Sequence, residues 1–550
     1  MNIEIYLKQK ISESLQRLGI ESFALDEIKI ERPKLETHGD QSTNVTMLLT
    51  RQLKKAPQHI AEDIVNNLDL DAEIVSRVEI AAPGFINFHL GWGYYHKVVA
   101  DILREGSKFG CSDWGKGVRY QIEFVSANPT GPLNVVSARA AAVGDVLVNL
   151  LNAVGFVARR EYYINDAGRQ VKLLGQSVSS RYMAIFNLDE TFPEDGYHGD
   201  YIRDIAQEIA DHDGDVYTMM DAVERHDALT KISLDRMIDL HKGIMLEYRV
   251  HFDNWFYESD LRKTNAQKEV LNQFESKDLI YEADGALWFK CSQYGDEKDR
   301  VLVTSEGEPT YFLVDIAYHK NKFDRGFQKL IDLWGPDHHG YIPRMTAAIM
   351  ALGYPEDSFH VEIIQQVNLL RSGEVFKMSK RAGQIIEMRE VIDEVGVDAA
   401  RFFFINRKIS SHLDFDLDVA KSQTEENPVY YLQYAYARIC NILRFAQENG
   451  IVLDENADLS SLVRDEEKHL IKELNGFPEV INQAVRELSP HLLPNYLKEV
   501  AALFHHFYHE CRVVSDDRAL TFARLCLVRA TQIVLANGFA LIGISAPEHM

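Results

Sequence analysis

Two lysines three residues apart, Lys377 and Lys380, stand in the stretch Phe376-Lys377-Met378-Ser379-Lys380-Arg381 between Gly373 and Gly383. Flanking glycines leave the backbone free to carry two cations onto a polyphosphate and away again, which is nucleotide chemistry. A lone Lys-x-x-Lys is usually a solvated turn, but the full five-residue word is rarer. A second candidate is Asn134-Val135-Val136-Ser137, where a Pro- and Gly-containing loop runs into a helix start. The unpaired N–H groups and positive dipole end of a helix start suit a nucleotide phosphate. Asn134 and Ser137 can both donate hydrogen bonds, and Ser137 reads as the N-cap. Third, Tyr311 and Asp315 are four residues apart, a helical spacing that sets a phenol beside a carboxylate.

These residues need a scaffold, and the pattern around them predicts one. Val118, Tyr120, Ile122 and Phe124 alternate as a strand. A helix over 138–153 follows, with Val143, Val146, Leu147, Leu150, Leu151 and Val154 on one face and Gly155 to end it. The next strand is expected over 156–164, giving a βαβ unit and a parallel, Rossmann-like sheet. Further strands are expected at 330–334 and 361–370, with a mostly helical insertion over about 176–300. Residues 1–107 mix an amphipathic helix with alternating strand patterns and read as a small α+β domain. Residues 108–425 then form the catalytic body. The chain from 426 to 550 is rich in helix, with candidates at 429–446, 466–474, 490–508 and 518–536, and reads as an all-α bundle.

Composition bounds the function. At 550 residues and 46% hydrophobic, the chain has ample material for several cores. No uninterrupted apolar run reaches the roughly 18 residues of a membrane span, and residues 1–25 lack a signal-peptide pattern, so a cytoplasmic protein is expected. Five scattered cysteines, never in CxxC spacing, argue against disulfides and a cysteine-rich zinc site and are expected to be buried. The net charge of −24, from 59 basic and 83 acidic residues, repels a polyanion at long range. Any nucleic-acid contact must therefore be local. Residues 110–117 almost spell a P-loop, but Gly117 stands where a magnesium-binding Ser or Thr belongs and the stretch precedes its strand. His338-His339 near Asp337 could suggest a metal, but hard magnesium prefers oxygen ligands; His505 and His509 have a zinc-like spacing without a clear third ligand, and no tightly bound metal is expected.

Taken together, the motifs resemble the class I aminoacyl-tRNA synthetases, and among them the bacterial arginyl-tRNA synthetase family. Residues 123–137, Tyr311-Phe312-Leu313-Val314-Asp315, Trp334-Gly335-Pro336-Asp337-His338-His339-Gly340-Tyr341, the Lys377 to Arg381 stretch and Asp398-Ala399-Ala400-Arg401-Phe402-Phe403 carry the likeness, as do His38-Gly39-Asp40, residues 82–88 and the terminal Ala546 to Met550. The resemblance implies ATP as a substrate with Mg2+, L-arginine and arginine tRNA as partners, a monomer with no membrane contact, an N-terminal domain that reads the tRNA elbow and a C-terminal bundle that reads the anticodon. It implies arginine contacts at Glu123, Asn128, Tyr311, Asp315 and His338. ATP contacts are implied at Asn134, Val136, Ser137, Lys377, Met378, Ser379 and Lys380, with Lys377, Lys380, Asn134 and Ser137 catalytic. One departure stands out: Asn134-Val135-Val136-Ser137 replaces the family's His-x-Gly-His box, and Val136 adds bulk where adenine packs. Members with a lysine before that box often lack the second loop lysine; here Gly131 and Lys380 form the complementary arrangement. A non-catalytic tRNA-binding paralogue would account for the altered box, and another nucleotidyl transferase would account for the ATP features alone.

Overall fold

A computed structural model describes residues 3–20, 23–33, 35–375 and 386–550; Lys377, Met378, Ser379 and Lys380 lie outside the described residues. The alternation at 118–124 becomes the strand Arg119–Glu123, the middle of a five-stranded sheet. Across that sheet the order is Phe359–Ile363, Lys329–Trp334, Arg119–Glu123, Val157–Ile164 and Asn254–Tyr257, every neighbouring pair parallel. The crossover helix Val135–Ala153 lays its expected apolar face on the sheet, with Val143, Val146, Leu147, Leu150, Leu151 and Val154 all buried. Gly144 makes this approach possible, because a Cβ there would meet the Phe124 ring at 2.3 Å.

The stretch 176–300 differs from the helical insertion expected of it. Helices Arg169–Ile185, Asp200–Asp213 and Ala222–Glu247 are followed by Asn254–Tyr257, which returns to the edge of the central sheet. A second excursion then builds an antiparallel sheet from Ile280–Ala283, Ala286–Phe289 and Arg300–Val303. Four residues are too few for strand periodicity to show in sequence. The single strand expected at 361–370 is likewise two, Phe359–Ile363 in the central sheet and Val367–Arg371 in a separate sheet with Glu374–Val375 and Leu413–Asp416.

At the N-terminal end, Gln41–Thr43, Phe85–Leu90 and Val75–Ala81 form an antiparallel sheet with helices Ile3–Arg17, Val45–Leu53 and Pro57–Asn66 beside it. At the other end the expected helices appear as Pro428–Glu448, Asp465–Leu474, Leu492–Glu510 and Arg518–Ile542, joined by Phe477–Arg486, which the pattern did not reveal. Two helices, Val135–Ala153 and Arg518–Ile542, are in fact long and apolar enough to cross a membrane, which corrects the expectation from uninterrupted runs. Both are core helices, 83% and 72% of their apolar windows lying inside the fold. Cys111 is exposed, and the other four cysteines are buried.

One guanidinium joins these bodies. Arg401 is fully buried; it pairs with Asp145 on the crossover helix, and donates to the Tyr248 carbonyl at 3.0 Å and the Ile542 carbonyl at 3.2 Å. Gly543 has φ +72, and a Cβ there would strike this guanidinium at 2.2 Å.

Candidate active site

Strand register lines up three carboxylates. Glu123 pairs with Asp332 on one side and Glu161 on the other, at the C-terminal ends of parallel strands, where open α/β sheets bind ligands. Like charges in such a row repel unless neutralised. The helix Tyr311–Asp324 and its C-cap Arg325 supply the cations. Lys322, fully buried, donates to Glu123 at 2.7 Å and to Asp332 at 2.9 Å. Arg325 pairs with Glu161 at 2.5 Å, and Tyr318 donates to the same carboxylate at 2.7 Å. His319 bridges Asp332 at 2.8 Å and the Asp315 carbonyl at 2.8 Å, so both ring nitrogens face oxygen atoms. Burial opposes charge on Asp332, yet Lys322 and His319 hold its carboxyl well below the usual range. Glu161 is also held low, Arg325 outweighing burial.

Asp315 is different. Beside it, Glu258 pairs with Arg262 at 2.5 Å. The Asp315 carboxylate has no ion-pair partner among the described residues and accepts one hydrogen bond, from the Tyr341 phenol at 2.7 Å. Burial pushes its carboxyl up to about 6, only partly countered by Tyr341, with Glu123 and Glu258 adding repulsion. With Glu123, Glu161, Asp332 and Glu258 each paired to a cation, Asp315 is a buried carboxylate without an ion-pair partner among the described residues, free to accept a cationic group. The phenol beside it is a correction: Tyr311 was expected there, but it opens its helix and is 76% exposed. His338 sits exposed on the Pro336–Tyr341 turn, its ring centroid 6.3 Å from that of Trp334, which stands 5.9 Å from Tyr341.

The loop after Glu123 is strained. Val125 and Ser126 have φ of 69° and 40°, a left-handed conformation that a β-branched residue seldom adopts and that clusters at functional sites. The turn lets Ser126 donate to Glu123 at 2.8 Å while accepting from the Tyr163 amide at 3.0 Å. Exposed Asn128 donates to Gln170 at 2.8 Å. Tyr201 holds the Thr130 carbonyl at 2.7 Å and His241 the Gly131 carbonyl at 2.8 Å. Burial lowers the His241 pKa, which suits a neutral donor.

At the helix start the N-cap is Asn134, not Ser137. Asn134 Oδ1 accepts from the Ser137 amide at 2.9 Å and from its hydroxyl at 3.2 Å. The expected cap was three residues late because both types cap well. The side-chain oxygens are thus turned to each other; with the Val135, Ser137 and Ala138 N–H groups already bonded, the Asn134 amide NH2 and the Val136 N–H are the donors left at this turn. Val136 is half-buried against the core. The stretch leaving the lysine-bearing segment is tied here: Val135 donates to the Ile386 carbonyl at 3.0 Å, and Met388 to that of Leu133 at 2.7 Å. The chain that resumes at Ile386 is therefore hydrogen-bonded to this helix start.

The structure brings Glu123 and the helix of Asp315 together through Lys322, and sets Asn128 and the Asn134 helix start on the loop that follows Glu123. Sequence reasoning missed Glu161, Asp332, His319, Lys322, Arg325 and Tyr341. One signal was present: Asp315, His319 and Lys322 follow i, i+4, i+7 spacing, a polar stripe on an otherwise apolar helix. His505 and His509, whose spacing is zinc-like, lie on the helix Leu492–Glu510 with separate partners, His505 against Arg438 and Tyr434 and His509 pairing with Glu510.

A parallel α/β sheet with this crevice, followed by a helical bundle, defines the class I aminoacyl-tRNA synthetase fold. Three family models cover the chain: the arginyl tRNA synthetase N terminal domain over 6–90, the catalytic domain of class I (R) tRNA synthetases over 99–411, and the DALR anticodon binding domain over 432–550. The chain is 47% identical over 546 residues to an arginine–tRNA ligase of Bacillus licheniformis and 45% identical over 546 residues to arginine–tRNA ligase 1 of Halalkalibacterium halodurans, covering 99% of this chain and 98% of each relative. A solved structure described as an arginyl-tRNA synthetase from Campylobacter jejuni superposes with a TM-score of 0.77 at 35% identity, over 83% of this chain and 99% of that one. The chain belongs to the arginyl-tRNA synthetase family.

Proposed function

We propose that this protein is an arginine–tRNA ligase: it activates L-arginine with ATP and transfers it to the 3′-terminal adenosine of arginine tRNA. The observation that carries the reading is Asp315, a carboxylate with a neutral partner at the mouth of a row of neutralised ones. Selecting a guanidinium takes such an acceptor in a fixed place. Family membership over nearly the whole chain supports the same reaction.

In this reading Asp315, with the Tyr341 phenol beside it, grips the guanidinium, Glu123 and His338 complete the pocket with Tyr311 at its exposed edge, and Asn128 meets the α-amino group. The arginine carboxylate attacks the α-phosphorus of ATP in line; a P–O bond forms, the α–β bridge breaks, and pyrophosphate leaves with its magnesium. The ribose hydroxyl of the tRNA then attacks the adenylate carbonyl, forming an ester and expelling AMP. No protein nucleophile is needed. The chain's contribution is positioning and stabilisation of developing charge, from Lys377 and Lys380 with Met378 and Ser379 in the same segment, and from the helix start at Asn134, Val136 and Ser137. Residues 1–107 take the tRNA elbow, 108–425 the chemistry and 426–550 the anticodon, in a cytoplasmic monomer.

The test is arginine-dependent pyrophosphate exchange with and without tRNA, followed by charging of cognate tRNA with radiolabelled arginine. Exchange that requires arginine and charging of the tRNA are expected. A folded protein that binds tRNA yet charges none over a range of ATP concentrations would replace this reading with the tRNA-binding paralogue.

A further inference from the structure

Lys322 is buried to zero exposure, with its ammonium 2.7 Å from Glu123, 2.9 Å from Asp332 and 4.5 Å from the centre of the Tyr318 ring. Asp332 gives its other oxygen to His319 at 2.8 Å, and His319 holds the Asp315 carbonyl at 2.8 Å. A continuous chain thus runs from Glu123 through Lys322, Asp332 and His319 to the backbone of Asp315. Buried ion pairs of this kind seldom add stability over an apolar core of the same volume, whereas they do fix geometry. The span it fixes is the distance between a sheet carboxylate and a helix carboxylate on opposite walls of one crevice.

We propose that Lys322 is a positioning residue for amino-acid recognition: it ties Glu123 to the helix that carries Asp315, so the two carboxylates keep one separation whether or not substrate is bound. Lys322 touches no substrate in this account. It also occupies one oxygen of Glu123, leaving that residue a single free acceptor edge, with Ser126 orienting the other oxygen at 2.8 Å. This inference rests on Glu123 and Asp315 being arginine contacts.

The experiment measures KM for arginine and for ATP, kcat of pyrophosphate exchange, and thermal stability for Lys322→Met, Lys322→Arg, Asp332→Asn and Asp315→Asn. Displacing a substrate-facing carboxylate by about 1 Å costs on the order of 10²-fold, so Lys322→Met should raise the arginine KM about that much with the ATP KM unchanged within about twofold. Lys322→Arg, which keeps the charge and both donors, should recover most of the loss. Asp332→Asn keeps Lys322 and weakens the link to His319, so its arginine KM should rise by about three- to tenfold. If Lys322→Met does not fold, Asp332→Asn decides. An arginine KM left within about twofold in Asp332→Asn or in a folded Lys322→Met, or arginine and ATP constants rising together, overturns the proposal. An unaltered arginine KM in Asp315→Asn would instead remove the arginine pocket itself, while a rise there with none in the Lys322 and Asp332 variants removes only the role of Lys322.

Discussion

The two sides of the crevice are built on opposite plans. On the amino-acid side, Glu123 and Asp332 share Lys322, and Glu161 pairs with Arg325, before any ligand arrives, while Asp315 has no ion-pair partner among the described residues. On the phosphate side, the side-chain oxygens of Asn134 and Ser137 bond to each other, and the Val136 N–H with one amide remains for the ligand. A fixed charge pattern discriminates between side chains in the ground state; donors that strengthen as charge develops act on the rate. The two sides should therefore fail differently when damaged.

The largest expected effect breaks the amino-acid side. Asp315→Asn removes a buried carboxylate that has no ion-pair partner among the described residues, and losing a desolvated partner of a guanidinium costs about 2 to 5 kcal/mol, so the arginine KM should rise by about 30-fold to several thousandfold. The ATP KM should hardly move. Steady-state exchange kinetics check both, and an unaltered arginine KM would take Asp315 out of the pocket.

Next comes the phosphate side. Lys380→Ala should lower the activation kcat by about 10² to 10³ with only a modest change in ATP affinity, read from pre-steady-state adenylate formation. Weakened ATP affinity at an unchanged rate would mean that the lysine acts on the ground state.

Asn134→Ala removes both a phosphate-facing amide and the helix cap, so about tenfold in activation should be accompanied by about 1 kcal/mol of stability. Asn134→Ser separates the two: it keeps the cap and lacks the amide NH2. A tenfold loss in both variants assigns the effect to the amide; a loss in Asn134→Ala alone assigns it to the cap.

The smallest effect is a pH profile. With the Asp315 carboxyl pushed up to about 6 by burial, arginine binding needs a proton removed below that pH, and the arginine KM should climb about tenfold per pH unit below 6 and stay flat above 7. The folding linkage has the opposite sign. A raised carboxyl pKa favours the fold below the unfolded value near 4 and loses that contribution as pH rises through about 6, so the ligand-free protein should gain stability on mild acidification at this residue. Tyr341→Phe removes the phenol that stabilises the anion and should move the break to higher pH by a few tenths to one unit. A break that stays in place in Asp315→Asn would belong to another group.

Sequence reasoning found what is local. The βαβ unit around 118–164 was legible because period 2 and period 3.6 patterns repeat over enough residues to show, and Asp315 was legible because its motif is contiguous. The partners of these residues were not. Glu123, Glu161 and Asp332 become neighbours through strand register, and Tyr341 reaches Asp315 across 26 positions, neither of which leaves a trace in local spacing. Asn254–Tyr257 was too short to register as a strand. The cap at Asn134 was misplaced because two capping residue types stand three apart at one helix start.

Arg401 has a consequence for how the molecule comes apart. A bundle joined to its neighbour by a polar, hydrated interface can melt alone, giving two heat-absorption peaks. Here the last turn of the terminal helix cannot leave without stripping a fully buried guanidinium of its Ile542 carbonyl partner, while its contacts to Asp145 and the Tyr248 carbonyl stay in the catalytic body. Local opening of the 518–542 helix is therefore coupled to exposure of the crossover helix, and amide protons in both should exchange with solvent on one shared timescale.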